Sequence, residues 1–372
     1  MWEHGMPGIT WSMAIDLARW EELRDAEDAE DAEPEEAVEE AAFSAEPSRP
    51  GFWSRWAATG ERRPRTWRWR QSAGVITIAV LAVLGVTAAT GTVRAGGATD
   101  TVSTGAALRT AVAAGAPVVL LGDSYAAGPL VPASPSGGPL GCLRSTHNYG
   151  ADVVAALKAT TFTDAACSGA TSADMTHAQS TLVGTNPAQF GALRANDALV
   201  MVTVGGDDFD GGFSHLMETC VLLSFTDPFG APCAKHFGSS LASEISADAK
   251  TITGVLTGIK ARAPHAEVLL VGYPDVFPAT GGGCWPAVPI ASGDIAYLRG
   301  LEQDLNTMMA SAAVKAGATY VNTYAATIGH DFCQPEAVRY VEGLVPGSVA
   351  EPFHPNTRGY NAIADVVLRA IG

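Results

Sequence analysis

Basic residues are scarce in this chain. Lys and Arg number 23 among 372 residues, against 39 Asp and Glu, and the formal net charge is −16. From Gly96 onward the balance is 13 basic to 23 acidic residues. No strongly basic face is available to follow a phosphate backbone, which excludes nucleic acid as an expected partner. Cysteine is missing from the first 141 positions; all six, Cys142, Cys167, Cys220, Cys233, Cys284 and Cys333, lie beyond them. None forms a CxxC pair with zinc-site spacing, so no metal site is expected. An even number of cysteines points to up to three disulfides in an oxidising compartment, and spacing alone does not choose their pairing.

Charge is also absent from Ser72–Val93, SAGVITIAVLAVLGVTAATGTV. As a helix this run would rise about 33 Å, enough to cross a bilayer. It follows RRPRTWRWR at 62–70, whose arginines favour the cytoplasmic side and whose Trp67 and Trp69 suit an interface. A single-pass transmembrane helix over 72–93 is expected, with the C-terminal portion outside. Cleavage as a signal peptide, near the small residues around Ala89 and Ala95, is the alternative, but some 70 residues precede the apolar run, long for a signal peptide. A buried helix of a soluble domain is the plainer alternative. Residues 1–70 carry 16 of the acidic residues and read as an acidic, disordered cytoplasmic segment, most strongly over the alanine-rich block Glu21–Glu40. Residues 96–114 read as a juncture, flexible over Gly96–Gly105.

The region 115–372 alternates apolar strands with helical stretches. Strands are expected at Pro117–Leu121, Phe162–Ala165, Ala198–Val204, Val268–Gly272 and Thr319–Asn322, and helices at Tyr149–Lys158, Leu241–Arg262, Ile295–Ala316 and Asn356–Ile371. This order implies a mainly parallel sheet covered on both faces, a three-layer α/β/α fold. Active residues of such sheets collect in loops beyond the carboxyl ends of the strands. Ser124, Gly169 and Asp207 each fall just after a candidate strand.

Ser124, in Gly122-Asp123-Ser124-Tyr125, is the candidate nucleophile. A serine hydroxyl needs an imidazole to take its proton during attack. His354, in Glu351-Pro352-Phe353-His354-Pro355-Asn356, is the candidate base, and Glu351 three residues upstream is the candidate acid to orient Nδ1. The Ser124 and Gly169 N–H groups are candidate oxyanion donors. Read singly, each is ordinary: an N-cap serine, a surface histidine, a loop glycine, an acidic turn at Asp207-Asp208.

Taken together, Gly122-Asp123-Ser124-Tyr125, Cys167-Ser168-Gly169, Gly205-Gly206-Asp207-Asp208 and Phe353-His354-Pro355-Asn356 resemble the GDSL lipase/esterase family, the SGNH hydrolases. Arg144–Tyr149 and Ala165–Ala170 look particularly like its extracellular actinobacterial esterases and lipases. The resemblance spans nearly all of 115–372. It implies a five-stranded, flavodoxin-like SGNH hydrolase domain, with Ser124 as nucleophile, His354 as base and Gly169 as oxyanion donor; the family's triad acid is often Asp three residues before His, where this chain has Glu351, and some members orient the His with a backbone carbonyl instead. It also implies disulfides Cys142–Cys167, Cys220–Cys233 and Cys284–Cys333. The family's third oxyanion donor is normally Asn in Gly-Asn-Asp, and this chain has Asp207 there. An ionised carboxylate cannot donate and would repel an oxyanion; a protonated Asp207 could donate, at the cost of a low pH optimum.

The expected reaction is hydrolysis of a carboxylic ester through a serine acyl-enzyme, with no cofactor or metal. Phe209–Phe213 and Leu222–Phe229 offer apolar surface for an acyl chain. The expected partner is an ester or lipid substrate, which includes a cell-envelope glycolipid. O-acyl transfer or deacetylation at the envelope, and a non-catalytic envelope-binding module on the same fold, are the alternatives.

Overall fold

The computed structural model describes residues 97–135 and 138–372, with side chains from Gly105. Five parallel strands form the central sheet: β1 (Val118–Gly122), β2 (Phe162–Asp164), β3 (Leu199–Thr203), β4 (Glu267–Val271) and β5 (Thr319–Val321), in the order β2-β1-β3-β4-β5. That is the doubly wound order in which a crevice opens between β1 and β3, where the connections turn to opposite sides. The expected α/β fold is borne out, and each expected strand lies within one or two residues of its observed span.

Every residue of β1 and β3 is buried. Alternation then divides the strands between two cores. Val119, Leu121, Val200, Val202, Val268 and Leu270 face one layer. Val118, Leu120, Leu199, Met201, Leu269 and Val271 face the other. The period of two is hidden in the sequence, because both faces are covered and both must be apolar. Helices Ala249–Arg262 and Ile295–Ala316 cover the first face, and Tyr149–Leu157 and Thr357–Ile371 the second.

Two stretches differ from expectation. Leu241–Arg262 is not one helix but two, Ser240–Ala247 and Ala249–Arg262, divided at Asp248. The region 96–114, read as a juncture, carries a helix over Gly97–Ala113. Its last turns are fixed by tertiary contacts: Val112 is fully buried in the second core, and Arg109 donates through Nη2 to the Leu368 carbonyl at 2.8 Å and through Nε to that of Gly372. Neither partner is near in sequence, so local composition carries no sign of the helix. The expected span 72–93 and the acidic segment 1–70 lie outside the described residues. Among the described residues no helix is long and apolar enough to cross a membrane.

Candidate active site

β1 ends against its neighbour at Gly122, where φ is +136° and an added Cβ would lie 2.1 Å from the Thr203 carbonyl oxygen. Only glycine fits that close approach. Asp123 then caps a single helical turn, Ser124–Ala127, by accepting from Tyr125 N–H through Oδ1 at 2.9 Å. The cap is Asp123, so the Ser124 hydroxyl is not consumed by the turn. It lies at the C-terminal edge of the sheet, 2.8 Å from His354 Nε2, with both residues buried.

His354 approaches from a loop between Val341 and the helix Thr357–Ile371. Val341 bridges Pro355, Glu342 N–H donates to the His354 carbonyl at 3.0 Å, and Phe353 N–H donates back to the Glu342 carbonyl at 3.1 Å. Phe353 sits at φ +62°, which turns the chain so that the Pro352 carbonyl meets His354 Nδ1 at 2.8 Å. A carbonyl only accepts, so Nδ1 carries the proton and Nε2 is the acceptor facing Ser124.

This corrects the role expected of Glu351. Its Oε2 lies 3.8 Å from His354 Nε2, not beside Nδ1. The Pro352 carbonyl already occupies the orienting position, and the Glu351 side chain is 32% exposed. Burial lowers the His354 pKa, with Glu351 and the Pro352 carbonyl opposing it. The imidazole is therefore neutral at neutral pH, as a base must be. Glu351→Gln is expected to keep kcat within about tenfold of wild type, since it touches neither Nδ1 nor its partner. A loss near 10⁴-fold, on the scale of removing a triad aspartate, would restore Glu351 to the orienting role.

Several supporting residues were not visible in the sequence. The Tyr125 hydroxyl donates to the Phe353 carbonyl at 2.7 Å, and its ring packs on His354 with centroids 4.8 Å apart. Gln189 brackets the end of β1, accepting from Gly122 N–H and donating to its carbonyl. Asn356, 1% exposed, accepts from Gly359 N–H at 3.1 Å and donates to Glu342 Oε1 at 2.7 Å. Burial alone would push the Glu342 carboxyl up. Bonds from Asn356, Gly347 and Arg339 overcome this and hold it below the usual Glu value. The stabilisation is present above the unfolded pKa and is lost as pH falls through the folded one. Asn356→Ala removes the cap and strips Glu342 of a donor. Urea denaturation should show a loss of about 2–3 kcal/mol; a change under about 0.5 kcal/mol would mean the loop is held elsewhere.

On the other side of Ser124 stands the 167–170 turn. Cys167 N–H donates to the Gly122 carbonyl at 2.9 Å, Ser168 N–H to the Cys142 carbonyl, and Gln179 Nε2 to the Ser168 carbonyl. The disulfide Cys142–Cys167 fastens the turn; Cys220–Cys233 and Cys284–Cys333 are the other two, the pairing that the resemblance implied. Gly169 holds φ +71°. Among the described residues neither Ser124 N–H nor Gly169 N–H has a protein acceptor.

The Gly205–Asp208 loop closes the third side. Asp208 braces it to the turn after Gly169, its carboxylate accepting from Ser172 N–H at 2.6 Å and Ser172 Oγ at 2.5 Å. Asp207 borders the same cavity as Ser124. Burial, then the Asp208 charge, push its carboxyl up to about 6; Glu351 adds to this and a bond from Phe213 opposes it. The cavity is about 520 Å³ including its open mouth, and its walls are largely apolar, among them Phe209, Phe213, Leu216, Ile245 and Leu298. Of the apolar segments expected to face an acyl chain, Phe209–Phe213 contributes to this wall. Leu222, Phe225 and Phe229 are exposed instead.

A serine hydrogen-bonded to a buried, carbonyl-oriented imidazole at the switch point of a parallel sheet is the arrangement of a serine hydrolase. Residues 120–362 match the GDSL-like Lipase/Acylhydrolase family, and the chain belongs to it. Its enzyme class is accordingly that of the serine esterases and lipases. It is 38% identical over 258 residues to Lipase 2 of Streptomyces coelicolor, covering 68% of this chain and 85% of that protein. Among solved structures it is similar to phospholipase A1 from Streptomyces albidoflavus, with TM-score 0.56 and 26% identity over 69% of this chain and 99% of that one. The extracellular lipase of Streptomyces rimosus gives TM-score 0.55 and 26% identity, covering 68% and 99%.

Proposed function

We propose that the protein hydrolyses acyl esters of lipid-like alcohols through an acyl-enzyme on Ser124. The observation that carries this is the 2.8 Å contact between Ser124 Oγ and His354 Nε2 at the mouth of an apolar cavity. Ser124 Oγ attacks the ester carbon as its proton passes to His354 Nε2, and the imidazolium is steadied by the Pro352 carbonyl at Nδ1. The oxyanion takes the free N–H groups of Ser124 and Gly169, with neutral Asp207 as third donor. The tetrahedral intermediate collapses as His354 returns the proton to the leaving alkoxide. Water, deprotonated by His354, then releases the acid and restores Ser124. The acyl chain lies in the apolar cavity.

The protein is proposed to act outside the cytoplasm. Three disulfides favour an oxidising compartment, and the Streptomyces rimosus relative is described as extracellular. The uncharged run 72–93 behind its arginine cluster supports retention as a single-pass anchor, with a hydrolase domain that begins with the helix at 97–113 or close to it. An anchored site would meet lipid or glycolipid esters of the envelope. The test is product analysis with purified full-length protein and p-nitrophenyl esters of graded chain length, with and without a sugar acceptor. Free acid released at the same rate in both mixtures supports hydrolysis; acylated sugar as the main product would move the assignment to acyl transfer. No turnover of any ester by the folded protein would favour a binding role.

A further inference from the structure

β4 runs beside β3, and its chain leaves the sheet through Gly272 into Tyr273, which is 5% exposed. No step of the reaction uses this residue. Its hydroxyl oxygen accepts from Gly206 N–H at 2.7 Å. Its own proton is therefore free to go to Asp123 Oδ2, the second partner of the hydroxyl. Asp123 precedes the nucleophile, and Gly206 precedes Asp207. Asp123, Ser124, Gly206, Asp207 and Tyr273 all border one cavity. Among the described residues, no hydrogen bond joins 123–127 directly to 205–208, so the hydroxyl is the polar bridge between them.

The bridge is held from behind. Tyr273 N–H donates to Asn306 Oδ1 at 3.0 Å, and the ring meets Tyr125 edge-on with centroids 5.1 Å apart. An added Cβ at Gly206 would lie 2.9 Å from the hydroxyl oxygen, so the loop backbone approaches as closely as glycine allows. Burial, then the Asp123 charge, raise the phenol well above its ordinary pKa, so it keeps the proton that it donates.

We propose that Tyr273 is a positioning residue of the oxyanion site, its hydroxyl holding the Gly205–Asp208 loop at a fixed distance from Ser124. The inference rests on the reaction proposed above, with Asp207 as third donor. The two sides do not depend equally on the bridge. The nucleophile turn keeps other ties: Asp123 N–H donates to the Thr203 carbonyl, Tyr125 N–H to Asp123 Oδ1, and Gln189 brackets Gly122. On the loop, Phe213 N–H holds the Gly206 carbonyl at 3.0 Å and Asp208 is tied to Ser172. The peptide before Gly206 is pinned through its N–H by Tyr273. A peptide unit is planar, so this bond fixes the plane from which Gly206 and then Asp207 leave. Without the hydroxyl a buried N–H loses its acceptor, and the loop turns to recover one. Misplacing a catalytic group by about 1 Å costs on the order of 10²-fold in rate. The loss falls on the transition state, because the oxyanion exists only there.

The test measures kcat and KM for p-nitrophenyl butyrate at about pH 5, where Asp207 is mostly neutral. Full-length wild type, Tyr273→Phe, Asp207→Ala and the double variant are compared, with thermal unfolding alongside. Phenylalanine keeps the ring contact with Tyr125 and removes only the bridge. Tyr273→Phe should lower kcat about tenfold or more and leave KM within about threefold. In the Asp207→Ala background the same substitution should cost less than about threefold, because the donor it positions is already gone. A kcat for Tyr273→Phe within about twofold of wild type overturns the proposal. An equal fall in both backgrounds also overturns it, since the hydroxyl would then serve the fold or Ser124 and not the oxyanion donor. If Tyr273→Phe does not fold, p-aminophenylalanine in place of Tyr273 decides. Its amine keeps the size and the donor to Asp123, and accepts only weakly from Gly206 N–H. An unchanged kcat then overturns the proposal; a fall of about tenfold, absent in the Asp207→Ala background, supports it. Asp207→Ala with the kcat of wild type would refute the third-donor reading, and the proposal with it. A wild type that hydrolyses no ester would instead refute the reaction.

Discussion

Ser124→Ala should lower kcat by about 10⁶-fold, the scale seen when the nucleophile of a serine hydrolase is removed, and leave the fold intact. The expectation of an intact fold follows from the local structure. The turn Ser124–Ala127 is capped by Asp123 through Tyr125 N–H, and the Ser124 side chain contributes only its contact with His354. Alanine keeps the N–H that faces the oxyanion and favours the helical turn. Thermal unfolding should therefore change little while turnover vanishes. Ester hydrolysis within about tenfold of wild type would mean that the attacking group lies elsewhere in the cavity.

Asp207→Asn should raise kcat at about pH 8 by about 10²-fold, the contribution of one oxyanion donor. The direction follows from the charge. A carboxyl donates only while protonated, and burial beside Asp208 places the Asp207 pKa at about 6. Below that value neutral Asp207 can donate to the oxyanion; above it the carboxylate has no proton and repels the developing charge. The wild-type rate should thus fall about tenfold per pH unit above about 6, after rising through the lowered pKa of His354. Asparagine donates at every pH, so the falling limb should disappear and only the His354 limb remain. A wild-type rate that stays level from about pH 6 to 8, with no gain in Asp207→Asn, would place Asp207 outside the oxyanion site.

What the sequence conveys about this protein depends on how local the cause is. β1 and β3 are five-residue runs buried on both faces, so composition alone marks them as inner strands of a parallel sheet. Ser124, Gly169 and His354 each follow or precede an element whose end is itself legible, and the family resemblance joins them. Glu351 illustrates the limit. A spacing of three residues before histidine says nothing of the positive φ at Phe353, and that turn presents the Pro352 carbonyl to Nδ1 in place of the carboxylate. Asp208 reads as one half of an acidic turn, and its task as a brace emerges only when Ser172 arrives from another loop. The helix Ile295–Ala316 is legible in the sequence, but nothing in it marks Glu302 as buried. Its helix packs against the 276–277 turn and the cavity, and that tertiary fact alone makes it buried. The helix Gly97–Ala113 is not legible for the same reason, its contacts being with the far C-terminus.

The most direct test of the account is covalent labelling of the full-length protein with a p-nitrophenyl alkylphosphonate, followed by peptide mass mapping. The phosphonate traps a serine only when a neighbouring base activates its hydroxyl. The account predicts a single adduct, on Ser124, forming faster as pH rises through the His354 titration and abolished by His354→Ala. An adduct on another residue, or ester hydrolysis that continues while Ser124 stays unmodified, would contradict it.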